Sequence, residues 1–430
     1  MQTNTAEQGK EQGKEQGKEQ GKQHTVVIVG GGAAGISVAA SLHKRDSTLD
    51  IAIIEPAHSH HYQPGWTMVG GGIFKPETTS KPMASVMPGF ASWYKQTVCS
   101  VDELNNQVTL ADGSVIGYQA LVLAPGLELN WAGIDGLKEA LGSNGVTSNY
   151  QEGMASYTWE MVQSLKTGRA LFSQPPMPIK CAGAPQKAMY LSADYWLRNG
   201  ALKNIDIQFH NAGAVLFGVP DYVPALQSYI EKYGVELNYQ NNLVSVNGPS
   251  HKATFRHTSA DGTTEDREVG FDMLHAVPPQ RAPEFIRQSS LANAGGWLDL
   301  EDDTLCHKLH SNIFGLGDVS GTANAKTAAA VRKQAPVVAQ NLISSLRKQP
   351  MTAAYLGYGS CPLTVENGRI VLAEFGYGGV LQPSFPTWIN DGTKATRAAW
   401  FLKAKQLPGL YWHVMLKGHE WMAKPARRSV

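Results

Sequence analysis

Apolar residues are sparse at the start of the chain and then arrive in short, dense runs. Residues 7–22 repeat the tetrapeptide EQGK, with charges of alternating sign and no apolar face. Such a stretch has nothing to bury, so residues 1–24 are predicted to form a disordered tail. Beyond it, VVIV at 26–29, IAII at 51–54 and ALVL at 120–123 are unbroken aliphatic runs, the pattern of buried strands. RALFSQPP at 169–176 and NIDIQFHNAG at 204–213 also read as strands. Between them, residues 184–198 place Met189, Tyr190, Ala193 and Trp196 near helical spacing, which makes the three a βαβ unit. At 355–377 two further strand-like runs follow a Gly-Ser-Cys-Pro turn. A chain of 430 residues is too long for one small core and fits two or three intertwined domains.

The first run leads into GGGAAG, where Gly30, Gly32 and Gly35 fit G-x-G-x-x-G. The first glycine allows a tight turn, the second lets backbone approach a pyrophosphate, and the third lets helix and strand pack closely. The pyrophosphate would sit at the positive end of the helix. Twenty residues after Gly35, the run IAII ends in Glu55, where a carboxylate can accept from a ribose diol. ALVLAPG, ending at Gly126, resembles the second short motif of flavoproteins with two dinucleotide domains, with proline where threonine is usual. NIFGLGD resembles their late flavin motif, which assigns Asp318 to the ribitol. The helix that follows would begin beneath the flavin, with Lys326 able to stabilise negative charge on the reduced ring. These segments select FAD over NAD.

The second βαβ unit lacks the corresponding fingerprint. Its first turn reads KCAGAP, and its second strand ends in His210 and Asn211 instead of an acid. The electron donor is therefore expected not to be NADH. Cys181 occupies that turn near a helix start, flanked by Lys180 and Lys187, a setting that favours a thiolate. Cys361 sits in the Gly-Ser-Cys-Pro turn and is expected to be more exposed than a core cysteine. Cys99 and Cys306 have no motif around them and are expected to be small buried hydrophobes. Four cysteines in this length suggest a reducing compartment, not a disulfide framework. A formal net charge of +1 makes nucleic acid an unexpected partner.

KCAGAPQK, YGSCPL and HHYQPGWTMVGGG behind Glu55 together resemble sulfide:quinone oxidoreductase, and most nearly its two-cysteine branch. The resemblance runs from about Val26 to the C-terminus. It implies FAD, hydrosulfide, a ubiquinone-type quinone and a small sulfur acceptor such as a thiol, sulfite or sulfide. It implies that Cys181 and Cys361 cycle through a disulfide or sulfur-bridged state on one side of the flavin. Hydrosulfide attacks the bridge, Cys361 carries the persulfide, and Cys181 leaves as a thiolate that passes two electrons to flavin C4a. It also carries over Ala33, Ala34, Gln63 and Val98 as flavin contacts, and Lys187 and Lys403 as holders of an anionic acceptor.

From Trp388 onward eight basic residues face two acidic ones, and four tryptophans occur. Segments 393–405 and 409–422 flank Pro408-Gly409 and are predicted to be two helices broken there, with Tyr411, Val414, Met415 and Met422 on one face. Lysine-rich helices bearing tryptophan suit a bilayer interface, where a quinone dissolves. Phe385, Trp388 and Tyr411 are candidates for the quinone channel. No run of 18 apolar residues exists, and no secretory signal is read at the start.

The expected fold is α/β, with two Rossmann-like dinucleotide-binding domains and a C-terminal membrane-associated helical region. Residues 25–150 with 300–345 would bind FAD, 151–299 would form the second lobe, and 346–430 the C-terminal region. The expected location is the cytoplasmic face of a bacterial inner membrane, as a monotopic peripheral protein, with homo-oligomerisation left open. Competing readings are a type II NADH:quinone dehydrogenase, a flavocytochrome-type sulfide dehydrogenase subunit and a flavin-binding membrane scaffold without turnover.

Overall fold

A computed structural model describes residues 22–323 and 325–428. Most of the EQGK repeat lies outside these residues. The first strand, β1 (Lys22–Val29), starts earlier than the apolar run suggests. Lys22, Gln23 and His24 continue its parallel ladder against Ile116, Gly117 and Tyr118. The His24 ring is held by Asp50 and by the Tyr94 hydroxyl. Residues 22–24, which the sequence assigned to the tail, thus belong to the strand, because backbone pairing continues where apolar burial stops.

After β1 come α1 (Ala33–Arg45), β2 (Ile51–Ile54), β3 (Ser92–Tyr94), β4 (Val98–Asp102), β5 (Gln107–Leu110) and β6 (Val115–Leu123). These strands lie in the order β3-β2-β1-β6-β5-β4. The aliphatic runs Val26 to Val29, Ile51 to Ile54 and Ala120 to Leu123 are all buried at its centre. Burial on both faces, under α1 and a later helix, is what makes them continuous instead of alternating.

The second sheet consists of β7 (Val146–Thr147), β8 (Gly168–Gln174), β9 (Ile205–Asn211), β10 (Glu236–Tyr239) and β11 (Met273–His275). Its strands are all parallel, in the order β7-β11-β8-β9-β10. Helix α2 (Ala184–Arg198) joins β8 to β9 and buries Tyr190 and Trp196 completely. The chain then returns to the first sheet, where β12 (Ile313–Gly315) pairs with β6. Helix α3 (Ala328–Leu346) follows, capped by the Thr327 hydroxyl, and shares a core with α1.

A hairpin of β13 (Gly359–Glu366) and β14 (Arg369–Phe375) follows. Cys361 is not in a turn but on β13, opposite Ala373, and it is buried. The strand accepts Pro362 because it is an edge strand, where a missing N–H need not break a ladder bond. The C-terminal segment also departs from expectation. Helix Arg397–Phe401 runs through a π-helical turn at Leu402–Gln406 into helix Leu407–His413. Pro408 lies in the first turn of the last piece, where a proline needs no donor, so it does not break the helix. Tyr411, Trp412 and Met415 pack into the core of the first lobe, whereas Met422 is exposed and lies beyond the helix.

Candidate functional site

The two lobes and the hairpin enclose a cavity of about 520 Å³. At one end it is bordered by the first glycine turn, through Gly30, Gly32, Ala33, Ala34 and Glu55. Gly30 has φ +100°, and a Cβ there would strike the Ala124 carbonyl. A Cβ on Gly35 would strike the carbonyl of Gly30, so this glycine serves helix–strand packing and does not border the cavity. Gly32 is different: a Cβ there would meet nothing within 4 Å, because the residue opens onto the cavity. Glu55 accepts from the Gly31 and Ala57 amides at 2.7 and 2.8 Å and closes the turn.

Farther in, Gly126, Asp318, Lys326 and the first residues of α3 line the wall. The start of a 19-residue helix brings its unpaired amides and partial positive charge to this point. Lys326 is buried, and its Nζ donates to the Asp318 and Ser320 carbonyls at 2.8 and 2.6 Å. Burial lowers its pKa to about 8, and burial raises that of the Asp318 carboxyl. Gln63 is present too, its carbonyl taken by Lys180 Nζ at 2.8 Å. Asn149, 4% exposed, faces the cavity with both side-chain polar atoms unpartnered. An orphaned buried amide in a native wall calls for a ligand. Val98 is the exception among the expected contacts. It is buried in the core behind the first sheet and is not part of the wall. A bulge between Val98 and Ser100 also turns Cys99 outward, so Cys99 is exposed and not the buried hydrophobe expected. Cys306 is buried.

On the side of the second lobe the cavity meets Cys181. This residue occupies the turn before α2 with φ +80°, a conformation costly for any residue with a Cβ. Its Sγ lies 3.6 Å from that of Cys361, 180 residues away in sequence. Cys181 borders the cavity and Cys361 lies behind it. Lys187 Nζ donates to Cys181 Sγ at 3.4 Å. Lys403, reaching in from the π-helical turn, donates to the Pro64 carbonyl at 2.9 Å. Both lysines are buried and not surface residues. The hydrogen bond with Cys361 holds the Cys181 thiol well below the usual range. Burial opposes this, and Lys187 and Lys403 reinforce it. The same bond, with burial, pushes the Cys361 thiol well up. Cys181 is thus the more acidic thiol of the pair. Burial also opposes charge on Lys187, but the neighbouring sulfurs win and its pKa is raised. Lys403, buried and repelled by Lys187, is lowered to about 7.

Phe385, Leu402, Leu407, Leu410 and Tyr411 line the same cavity as an apolar wall. Tyr411 hydrogen-bonds to His60 Nε2 at 2.7 Å, and burial lowers the His60 pKa to about 4. Trp388 is not in this wall but 83% exposed.

Residues 24–158 match the pyridine nucleotide-disulphide oxidoreductase family. The mitochondrial sulfide:quinone oxidoreductase of Dictyostelium discoideum is 41% identical over 402 residues, covering 93% of this chain and 87% of that protein. The chain belongs to the sulfide:quinone oxidoreductase family. FAD is the cofactor, and the glycine cradle, the α3 start and the orphaned Asn149 amide fit it. The mitochondrial sulfide:quinone oxidoreductase of Mus musculus is 36% identical over 396 residues, 92% of this chain and 87% of that protein. The solved sulfide:quinone oxidoreductase of Aquifex aeolicus shares the fold, with a TM-score of 0.74 at 20% identity, over 93% of this chain and 92% of that one. Sequence reasoning from this family brought Cys181, Cys361, Lys187 and Lys403 together; it missed Asn149 and His60, whose role depends on burial alone.

Proposed function

We propose that this protein oxidises hydrosulfide to sulfane sulfur and passes the electrons to a membrane quinone, with Cys181 and Cys361 as the reacting pair. The observation that carries this is the approach of two sulfurs, distant in sequence, at the wall of the cofactor cavity beside a buried lysine. In the oxidised pair, hydrosulfide attacks Cys361; a new S–S bond forms, and the Cys181–Cys361 bond breaks. Cys361 then holds a persulfide, and Cys181 leaves as a thiolate stabilised by Lys187. A thiol, sulfite or second sulfide takes the outer sulfur, which leaves two reduced cysteines. Rejoining them releases two electrons. Bound FAD supplies the carrier that accepts those electrons and hands them to the quinone. Lys187 and Lys403 keep the sulfur side positive and attract its anions.

The quinone ring is assigned to the wall of Phe385 and Tyr411. The C-terminal segment that carries Phe385 and Tyr411 also exposes the apolar side chains of Val380, Trp388, Ile389 and Phe401. No helix among the described residues is long and apolar enough to cross a membrane. We assign this surface to one leaflet, as a monotopic anchor, at the cytoplasmic face of an inner membrane. The division into a flavin domain, a second lobe and the C-terminal region belongs to this proposal. The nicotinamide reading is disfavoured at β9, where the Asn211 amide is tied to the Val215 carbonyl and to the Gly213 N–H. The test is anaerobic reduction of the bound flavin. Sulfide should bleach it within the turnover time and NADH should not; the reverse result would replace this reading with the NADH dehydrogenase.

A further inference from the structure

Reducing a quinone takes two protons as well as two electrons, so a group at the cavity wall that can carry a proton matters to that half-reaction. The register of the β13–β14 hairpin shows what lies there. Directly opposed residues share a face of a sheet, and neighbours along a strand alternate. Cys361 pairs with Ala373, so both face the second lobe. Ser360 pairs with Glu374 and Pro362 with Leu372, and these four face the cavity. One hairpin therefore carries a thiol on one face and a carboxylate on the other.

Glu374 is 5% exposed. Its Oε1 accepts from the Tyr358 hydroxyl at 2.6 Å and from the Ser384 hydroxyl at 2.5 Å. Its Oε2 accepts from the Ser384 amide at 3.0 Å. Among the described residues no cation forms an ion pair with it, although Arg332 and Lys333 of α3 lie on the same side. Tyr358, Glu374 and Ser384 all line the cavity next to Phe385. Beyond them the chain emerges into the exposed segment at 386–389. A carboxyl buried at a cavity wall without an ion pair is a candidate for holding and passing a proton.

We infer that Glu374 is the proton donor to the quinone, with Tyr358 and Ser384 positioning it. This rests on the placement of the quinone at Phe385 and Tyr411. In the step Glu374 takes part protonated on Oε2, which among the described residues accepts only from the Ser384 amide, and that O–H breaks as an O–H forms on one quinone oxygen. Bound FAD, once reduced, would supply the two electrons and the second proton. Solvent restores the proton to Glu374 through Ser384. The two faces of one hairpin thus serve the two half-reactions separately.

The test compares the half-reactions of flavin-loaded Glu374→Gln by stopped flow. The enzyme is reduced with sulfide, then mixed with decylubiquinone or with ferricyanide, which takes electrons without protons. Reduction by sulfide and reoxidation by ferricyanide should stay within about twofold of the parent. Reoxidation by decylubiquinone should fall about a hundredfold or more, the usual worth of a general acid. The solvent isotope effect on that step should change, and Glu374→Asp should recover part of the rate. If Glu374→Gln reacts with decylubiquinone like the parent, or loses both acceptors equally, the inference is overturned. If Glu374→Gln does not fold, Tyr358→Phe should show the same split between acceptors, and its absence overturns the inference equally. Failure of sulfide to reduce the parent would instead count against the preceding reading; dithionite-reduced enzyme would then still report the quinone step.

Discussion

The turns that open the two βαβ units occupy equivalent places and do opposite things. In the first, between β1 and α1, glycines remove side chains so that backbone and a helix start can meet a phosphate. In the second, between β8 and α2, a side chain with a Cβ is held at φ +80°, where glycine would be comfortable. That side chain is Cys181. The helix start is still there, and so is its preference for negative charge, but the anion it favours is a thiolate and not a ligand's phosphate. The comparison teaches that a Rossmann topology supplies an electrostatic position, and that the residues of the turn decide what occupies it.

The largest way to break this comparison is to remove each sulfur. Cys181→Ser and Cys361→Ser should each lose sulfide:quinone turnover by about a thousandfold or more, since a hydroxyl cannot replace a thiolate nucleophile. Both should keep their flavin, because neither lies in the first turn. Cys99→Ser and Cys306→Ser should turn over like the parent, apart from a modest stability loss at buried Cys306. Steady-state rate with flavin absorbance across the four variants decides it; parental turnover in either of the first two ends the dithiol mechanism.

The next test acts on the first turn. Gly32 opens onto the cavity, so the side chain of Gly32→Val would stand where the pyrophosphate belongs. This variant should purify largely without flavin, yet fold and retain the low pKa of Cys181. Flavin-to-protein absorbance ratio measures the first, and thiol alkylation the second. A fully yellow Gly32→Val would detach this loop from the cofactor.

The two turns also differ in how far they can be read from sequence. The glycine spacing and Glu55 are local signals, each within about one βαβ unit of the other. The cysteine pair is not local. Nothing in the spacing of Cys181 and Cys361 brings them together; only the family resemblance did, and the fold places them in contact. Local cues misled in two places. Gly-Ser-Cys-Pro looks like a turn, but an edge strand tolerates its proline. Pro408 looks like a helix breaker, but a π-helical turn just before it lets the helix continue. For Lys187, Lys326 and Lys403 the roles were legible but their burial was not, because tertiary packing supplies it.

A finer test keeps both turns and removes the cation of the second. Lys187→Met takes away the amine 3.4 Å from Cys181 Sγ. Loss of a positive charge disfavours the thiolate, so the Cys181 pKa should rise. Below its pKa the thiol is protonated and slow, so the pH profile of alkylation by iodoacetamide should move to higher pH. Lys403 would compensate in part. Its pKa of about 7 is lowered by burial first and then by Lys187, so removing Lys187 lets it hold its proton to higher pH. An alkylation profile unmoved in pH would show that Cys361 alone sets the thiolate.

The smallest expected effect comes from the glycine in the second turn. Gly183 has φ −87°, which any residue adopts, so backbone freedom does not explain it. Its surroundings do: a Cβ there would lie 2.6 Å from Cys361 Sγ and closer still to a methyl of Leu363. Leu363 is wholly buried and has little room to move, so in Gly183→Ala the sulfur must yield. Rotation of the Cys361 side chain would alter its distance to Cys181 without touching the first turn or the quinone wall. The expected result is a several-fold slower reduction of the flavin by sulfide, with flavin content and reoxidation by quinone unchanged. Adding Leu363→Ala should restore part of the rate by letting the new methyl settle on the other side, despite a stability cost of about 2–5 kcal/mol. Equal slowing of both half-reactions would mean that the substitution disturbs the whole cavity, and that the second turn does not position sulfur as the first positions phosphate.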